Sequence, residues 1–137
     1  MGQKYEVLPH TADYKVKVFG NTKEELFSNA VLAMYDGLKP RLSPGNERIK
    51  KSISLNSADS SALLADFLSE VLYLMQVHKE VYNELRFLSL IDSQLAVKLT
   101  GQKVEGFGED IKAVTYHDLD VHQRNDGSWE AMILFDI

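Results

Sequence analysis

The chain has no cysteine, only three prolines and no long apolar segment. Without cysteine it has no disulfide, no thiolate metal ligand and no cysteine nucleophile. No apolar run approaches the roughly 20 residues that a membrane-spanning helix needs. The opening residues, MGQKYEVLPH, lack the apolar core of a secretory signal. We therefore expect a cytoplasmic protein with no membrane association.

The chain also lacks an excess of positive charge, since its formal net charge is −5. Proteins that bind nucleic acid through their own surface usually carry a basic stripe. The densest basic stretch here is only Arg48, Lys50 and Lys51. The sequence therefore argues against a protein that binds RNA or DNA on its own.

Two amphipathic helices are predicted. Thr22 stands three residues before Glu25, which is the spacing of a capping box, and apolar residues at helical spacing follow. This pattern predicts a helix over about Lys23–Leu38. Asp59 or Ser60 caps a second helix, whose apolar stripe faces a core. The stripe consists of Leu63, Leu64, Phe67, Leu68, Val71, Leu72 and Met75.

The remaining segments alternate in the way that is typical of strands. Extended structure is expected at 14–19, 48–56, 83–91, 95–99, 113–122 and 129–135. Asp126-Gly127 predicts a hairpin before the last strand. With 137 residues, 45% of them apolar, we expect one domain spanning 1–137. The predicted fold class is α+β, a two-layer sandwich in which two helices pack on one face of a mostly antiparallel β-sheet.

Acidic and histidine side chains are the candidates for chemistry. His10 and Asp13 lie just before a predicted strand, where they could bind a metal. The alternative is that Asp13 caps a turn and that His10 is a surface residue. If 113–122 is one strand, Asp118, Asp120 and His122 share a face that is either metal-binding or simply solvated. His117 then lies on the opposite face, among aliphatic residues.

The chain terminus brings two anions together. The side chain of Asp136 lies one residue from the main-chain carboxylate of Ile137. Their repulsion is relieved by a cation or by protonation. Oxygen ligands of this kind suit Ca²⁺ or Mg²⁺. A solvated tail is the alternative. No phosphate-binding loop and no serine-hydrolase motif is present.

Three anchors in the sequence resemble the archease family. They are PHTAD at 9–13, IKAVTYH at 111–117 and FDI at 135–137. TKEELF at 22–27 and SEVLYL at 69–74 agree with the same pattern. The resemblance covers essentially the whole chain and implies an archease-like fold.

The resemblance also implies a function. Archease-like proteins are accessory proteins, not enzymes, that activate the RtcB-type RNA ligase in tRNA splicing and RNA repair. They promote guanylylation and multiple turnover of the ligase, so RNA is contacted only indirectly. By motif, Asp13, Asp136 and Ile137 are implied to bind a divalent metal, calcium with Mg²⁺ or Mn²⁺ as alternatives. Lys112 and His117 are implied to act in activation or partner contact.

Two other functions remain open at this point. A metal-dependent hydrolase would use Asp13 and Asp136, with His117 as a further candidate. A chaperone-like binding module would depend little on the aspartates.

Overall fold

A computed structural model describes residues 2–8, 13–45 and 47–137 of the chain. Over these ranges the chain forms two helices and nine strands. In chain order they are β1 (Tyr5–Leu8), β2 (Asp13–Gly20), α1 (Lys23–Leu38), β3 (Pro40–Leu42), β4 (Ile49–Asn56), α2 (Ser60–His78), β5 (Glu80–Ile91), β6 (Gln94–Phe107), β7 (Ala113–Val114), β8 (His122–Gln123) and β9 (Trp129–Asp136).

The strands form two antiparallel sheets. Sheet I has the order β1-β2-β9-β7, with β8 also paired to β9. Sheet II has the order β3-β6-β4, with β5 also paired to β6. The predicted α+β class, with two helices and antiparallel strands, is confirmed. The division of the strands between two sheets is a feature that the sequence did not predict.

Both helices begin where their caps place them. The Thr22 hydroxyl accepts from the Glu25 N–H at 3.1 Å, and the Asp59 carboxylate accepts from the Ala62 N–H at 2.8 Å. Each cap satisfies a backbone donor that has no partner within its helix. The predicted helix over Lys23–Leu38 is confirmed at both ends.

The core is shared by the helices and both sheets. α1 packs on β2 and β9 of sheet I and on β5 of sheet II, while α2 packs on β4, β5 and β7. Phe27 of α1 and Phe67 of α2 stack with ring centroids 5.8 Å apart, and Phe87 of β5 meets both rings. In β2, Val16 and Val18 are fully buried, as the alternation predicts.

The predicted single strand over 113–122 is wrong. β7 ends at Val114, and β8 contains only His122 and Gln123. Between them the chain turns, with the Leu119 N–H donating to the Tyr116 carbonyl at 3.2 Å and Asp118 at φ 55°. The alternation that resembled a strand arises because Leu119 and Val121 pack on the core from a loop.

Within the described ranges, no helix is both long and apolar enough to cross a membrane.

Candidate functional site: the end of the terminal strand

The pairing of β2 with β9 brings two predicted site residues together. In this antiparallel register Asp13 lies directly opposite Asp136. Their neighbours Tyr14 and Phe135 also pair and point into the core. Because side chains alternate along a strand, both carboxylates belong to the opposite, outer face of sheet I. Side chains directly opposite each other have Cβ atoms about 4.5–5.5 Å apart.

Asp136 is held from its other side as well. The Lys112 N–H donates to the Asp136 carbonyl at 2.7 Å, and Ala113 of β7 pairs with Asp136 in register. Ile137 follows at once and is about half exposed, at 47%. Four predicted site residues, Asp13, Lys112, Asp136 and Ile137, therefore meet at one end of sheet I, and we call this group the terminal cluster.

An aromatic pair supports the terminal cluster from beneath. The rings of Tyr14 and Phe135 stack at a centroid distance of 5.5 Å, and Phe135 is fully buried. The Tyr14 hydroxyl donates to the Ala33 carbonyl of α1 at 3.0 Å. Burial, with the nearby Asp36 charge, raises the pKa of Tyr14 above its usual range. Gly37 leaves room for this ring, because a Cβ there would lie 2.6 Å from Tyr14 Cε2.

His117 lies on the loop that follows β7. Its Nε2 contacts Asp118 Oδ2 at 3.1 Å, and 73% of the His117 side chain is exposed. The preceding residue anchors the loop, since the Tyr116 hydroxyl donates to the Asp66 carboxylate of α2. That hydrogen bond is the main reason that the pKa of Tyr116 is raised.

The predicted shared face of Asp118, Asp120 and His122 required one continuous strand over 113–122, which the structure does not have. Asp118 pairs with His117, whereas His122 lies between two other carboxylates. His122 Nδ1 is 3.1 Å from Asp120 Oδ2, and Nε2 is 3.1 Å from Glu130 Oε2. Among the described residues, no group of three or more His, Cys, Asp or Glu side chains is arranged to hold a metal ion.

Most of the first motif lies outside the part of the chain that the structure describes. Pro9, His10, Thr11 and Ala12 lie outside the described residues. Of the PHTAD segment, only Asp13 belongs to the described part of the terminal cluster.

The oxygen atoms of the terminal cluster determine which cation it suits. Two side-chain carboxylates face the same side, and Ile137 directly follows one of them. This donor set contains only hard oxygen atoms, which suits Ca²⁺, Mg²⁺ or Mn²⁺ rather than Zn²⁺.

Comparison with known proteins identifies the family. The model of the Archease protein family (MTH1598/TM1083) matches residues 5–137. An archease from Methanosarcina barkeri is 37% identical, over 99% of this chain and 97% of that protein. An archease from Pyrococcus furiosus is 30% identical, over 98% of this chain and 99% of that protein. The chain belongs to the archease family.

Solved structures agree with the fold. The solution structure of Methanobacterium thermoautotrophicum protein 1598 has a TM-score of 0.74 at 24% identity, over 98% of this chain and 99% of that one. The crystal structure of an archease, possible chaperone, from Thermotoga maritima has a TM-score of 0.69 at 21% identity, over 96% of both chains. The predicted archease-like fold is confirmed.

Proposed function

We propose that this chain is a cytoplasmic accessory protein that activates an RtcB-type RNA ligase. In this role it promotes guanylylation of the ligase, and so multiple turnover, in tRNA splicing or RNA repair. The observation that carries the proposal is the register of β2 on β9, which sets Asp13 opposite Asp136. Residues that are far apart in sequence, and that the family resemblance marks together, are neighbours at one exposed end of sheet I.

The proposal includes a divalent cation at the terminal cluster. Its ligands are the side chains of Asp13 and Asp136 and the main-chain carboxylate of Ile137. Like charges directly opposite each other destabilise an antiparallel pair, and a cation offsets that repulsion. Calcium takes six to eight oxygen ligands, so waters or backbone carbonyls complete the set. When bound, the cation supplies positive charge that holds the ends of β2 and β9 in one arrangement.

Lys112 and His117 have separate roles in this proposal. The backbone of Lys112 is bound to Asp136, while its side chain is exposed. The ammonium group is therefore free of the sheet pairing and acts on the partner, by contacting phosphate at the guanylylation site. His117 is exposed on the neighbouring loop and contributes to the docking surface.

Three measurements separate this function from the two alternatives. The protein is added in substoichiometric amounts to an RtcB-type ligase with GTP and Mn²⁺, and ligated RNA per ligase is counted. Activation predicts many products per ligase molecule. If turnover is unchanged while aggregation of unrelated clients is suppressed, the chaperone function suggested for the Thermotoga relative is supported instead. Hydrolysis of a phosphoester or amide by the isolated protein with a divalent metal would support an enzyme.

A further inference from the structure

The outer face of sheet II gathers positive charge from three strands. Lys98 of β6 lies opposite Ser52 of β4 on one side and Arg86 of β5 on the other. One row further along, Lys50 lies opposite Thr100. All of these side chains point away from the core, since they alternate with buried or half-buried neighbours.

We call Arg48, Lys50, Arg86 and Lys98 the basic face. They line one open groove of about 730 Å³. The cations come from segments up to 50 residues apart, so no single stretch of sequence shows them together.

Little negative charge balances the basic face. Arg48 forms an ion pair with Glu84 at 2.8 Å. Within the described ranges, Lys50, Arg86 and Lys98 form no ion pair with a carboxylate. The chain as a whole carries −5, so this concentration of positive charge runs against its average.

The arrangement is unfavourable for the isolated fold. Arg86 and Lys98 are directly opposite, with Cβ atoms about 4.5–5.5 Å apart, and like charges at that position destabilise a sheet. Lys50 is diagonal to Lys98, at about 7–8 Å. Both side chains of the Arg86–Lys98 pair are exposed, so neither contributes to core packing. An anionic ligand with charges at this spacing would relieve the repulsion.

The chemistry of the groove favours phosphate over a protein surface. Its other lining residues are Lys51, Ser52, Glu84, Leu99 and Thr100. None is aromatic, and Leu99 is buried. Protein interfaces are centred on aromatic and apolar anchors and are depleted in lysine. Arginine, lysine, serine and threonine side chains are instead the usual partners of phosphate oxygens in nucleic-acid complexes.

We propose that the basic face binds the phosphate backbone of RNA without reading its bases. Contacts to phosphate carry no sequence information, and the described residues that line the groove include no aromatic ring on which a base could stack. The choice of RNA over other polyanions rests on the proposed function. The proposal goes beyond that function, because activation of the ligase requires RNA contact only by the ligase itself.

Binding of a labelled single-stranded RNA of mixed sequence to the isolated protein tests the proposal. Fluorescence anisotropy is measured between about 50 and 150 mM NaCl. Three unpaired cations predict a slope of log K against log salt of about −2, because each neutralised phosphate of a single strand contributes about −0.7. Affinity should therefore fall about ninefold over that threefold change in salt.

Charge variants give the matched comparison. Lys98→Glu should weaken RNA binding at least about tenfold and make the salt slope shallower. A glutamate at 98 lies opposite Arg86, so the variant forms a cross-strand ion pair and should fold, with Lys98→Gln as the milder second variant. Lys4→Glu is the control, because Lys4 is exposed outside the basic face and the change in net charge is the same.

The outcomes divide cleanly. The proposal is supported if Lys98→Glu loses RNA binding and Lys4→Glu retains it. Undetectable RNA binding by the wild-type protein at the lowest salt, or equal loss in both variants, overturns it. If Lys98→Glu instead weakens only the docking to the ligase, the basic face binds an acidic protein surface. The RNA assay contains no ligase, so its failure is distinct from a failure of the proposed function.

Discussion

Phe135→Ala should destabilise the protein far more than Leu134→Ala, although the two residues are adjacent. Phe135 is fully buried and stacks on Tyr14, whereas Leu134 lies on the outer face of sheet I and is half-buried. Removing a buried phenylalanine costs about 3–5 kcal/mol of unfolding free energy. A half-buried leucine loses about 1 kcal/mol, since complete burial contributes about 1.5–3.

Urea unfolding monitored through Trp129, the only tryptophan, measures both costs. With a slope near 2 kcal/mol per molar urea, Phe135→Ala should lower the midpoint by about 2 M and Leu134→Ala by about 0.5 M. This difference depends on the register that turns Asp136 outward beside Asp13. A shift of one residue would exchange the two faces of β9. Equal costs, or a larger cost for Leu134→Ala, would refute the register and with it the terminal cluster.

Lys112→Ala should reduce stimulation of the ligase without lowering the melting temperature, because the backbone and not the side chain of Lys112 binds Asp136. Ligase turnover and thermal unfolding by circular dichroism are measured on the same variant. Unfolding of the variant would contradict this prediction. The pKa of Tyr82 is raised mainly by burial, and secondly by the hydrogen bond that its hydroxyl donates to Glu80 at 2.7 Å. The neutral hydroxyl therefore stabilises the folded state. This contribution to the free energy of unfolding is complete below pH about 10 and is lost as the pH rises through the folded-state pKa. Urea unfolding at a series of pH values should show a decline above pH about 10 that is shallower in Tyr82→Phe, and an unchanged decline would refute the assignment. A short extension after Ile137 should weaken calcium binding in a calorimetric titration, whereas the same extension at the N terminus should not; equal affinities would remove Ile137 from the ligand set.

Local sequence signals predicted the helices well because their ends are set by local contacts. Thr22 caps the Glu25 N–H as predicted, although the Glu25 carboxylate accepts from the Asn21 N–H and not from the Thr22 N–H. Lys39 ends α1 in the left-handed region at φ 50°. Asp59 caps α2 in the same way. Each of these features depends on residues within four positions of one another, so the sequence carries enough information to locate them.

The strands were harder to predict because glycine has more than one use. Three glycines lie within 101–108, a composition that is common in turns, yet β6 continues to Phe107. Gly101 lies where a bulge in β5 brings the Val81 carbonyl so close that a Cβ would be only 1.7 Å from it. The glycine permits this close approach and does not turn the chain. Only the pairing of β5 with β6 shows the difference.

The terminal cluster could be predicted from the sequence, whereas the basic face could not. Asp13 and Asp136 lie at opposite ends of the chain, and the family resemblance alone linked them before the register of β2 on β9 placed them opposite each other. The basic face had no such guide, because Arg86 and Lys98 join Lys50 only through the pairing of three strands. The net charge of the whole chain argued against a basic surface because it averages over all faces of the protein.

The most direct test of the central claim is multiple turnover of an RtcB-type ligase with aspartate variants of this protein. Asp13→Asn and Asp136→Asn each replace one proposed carboxylate ligand by a neutral amide, while Glu105→Gln removes one exposed negative charge from β6 as a control. Both aspartate variants should fold but lose stimulation of the ligase, whereas Glu105→Gln should retain it. Full stimulation by both aspartate variants would show that the terminal cluster is not needed for activation.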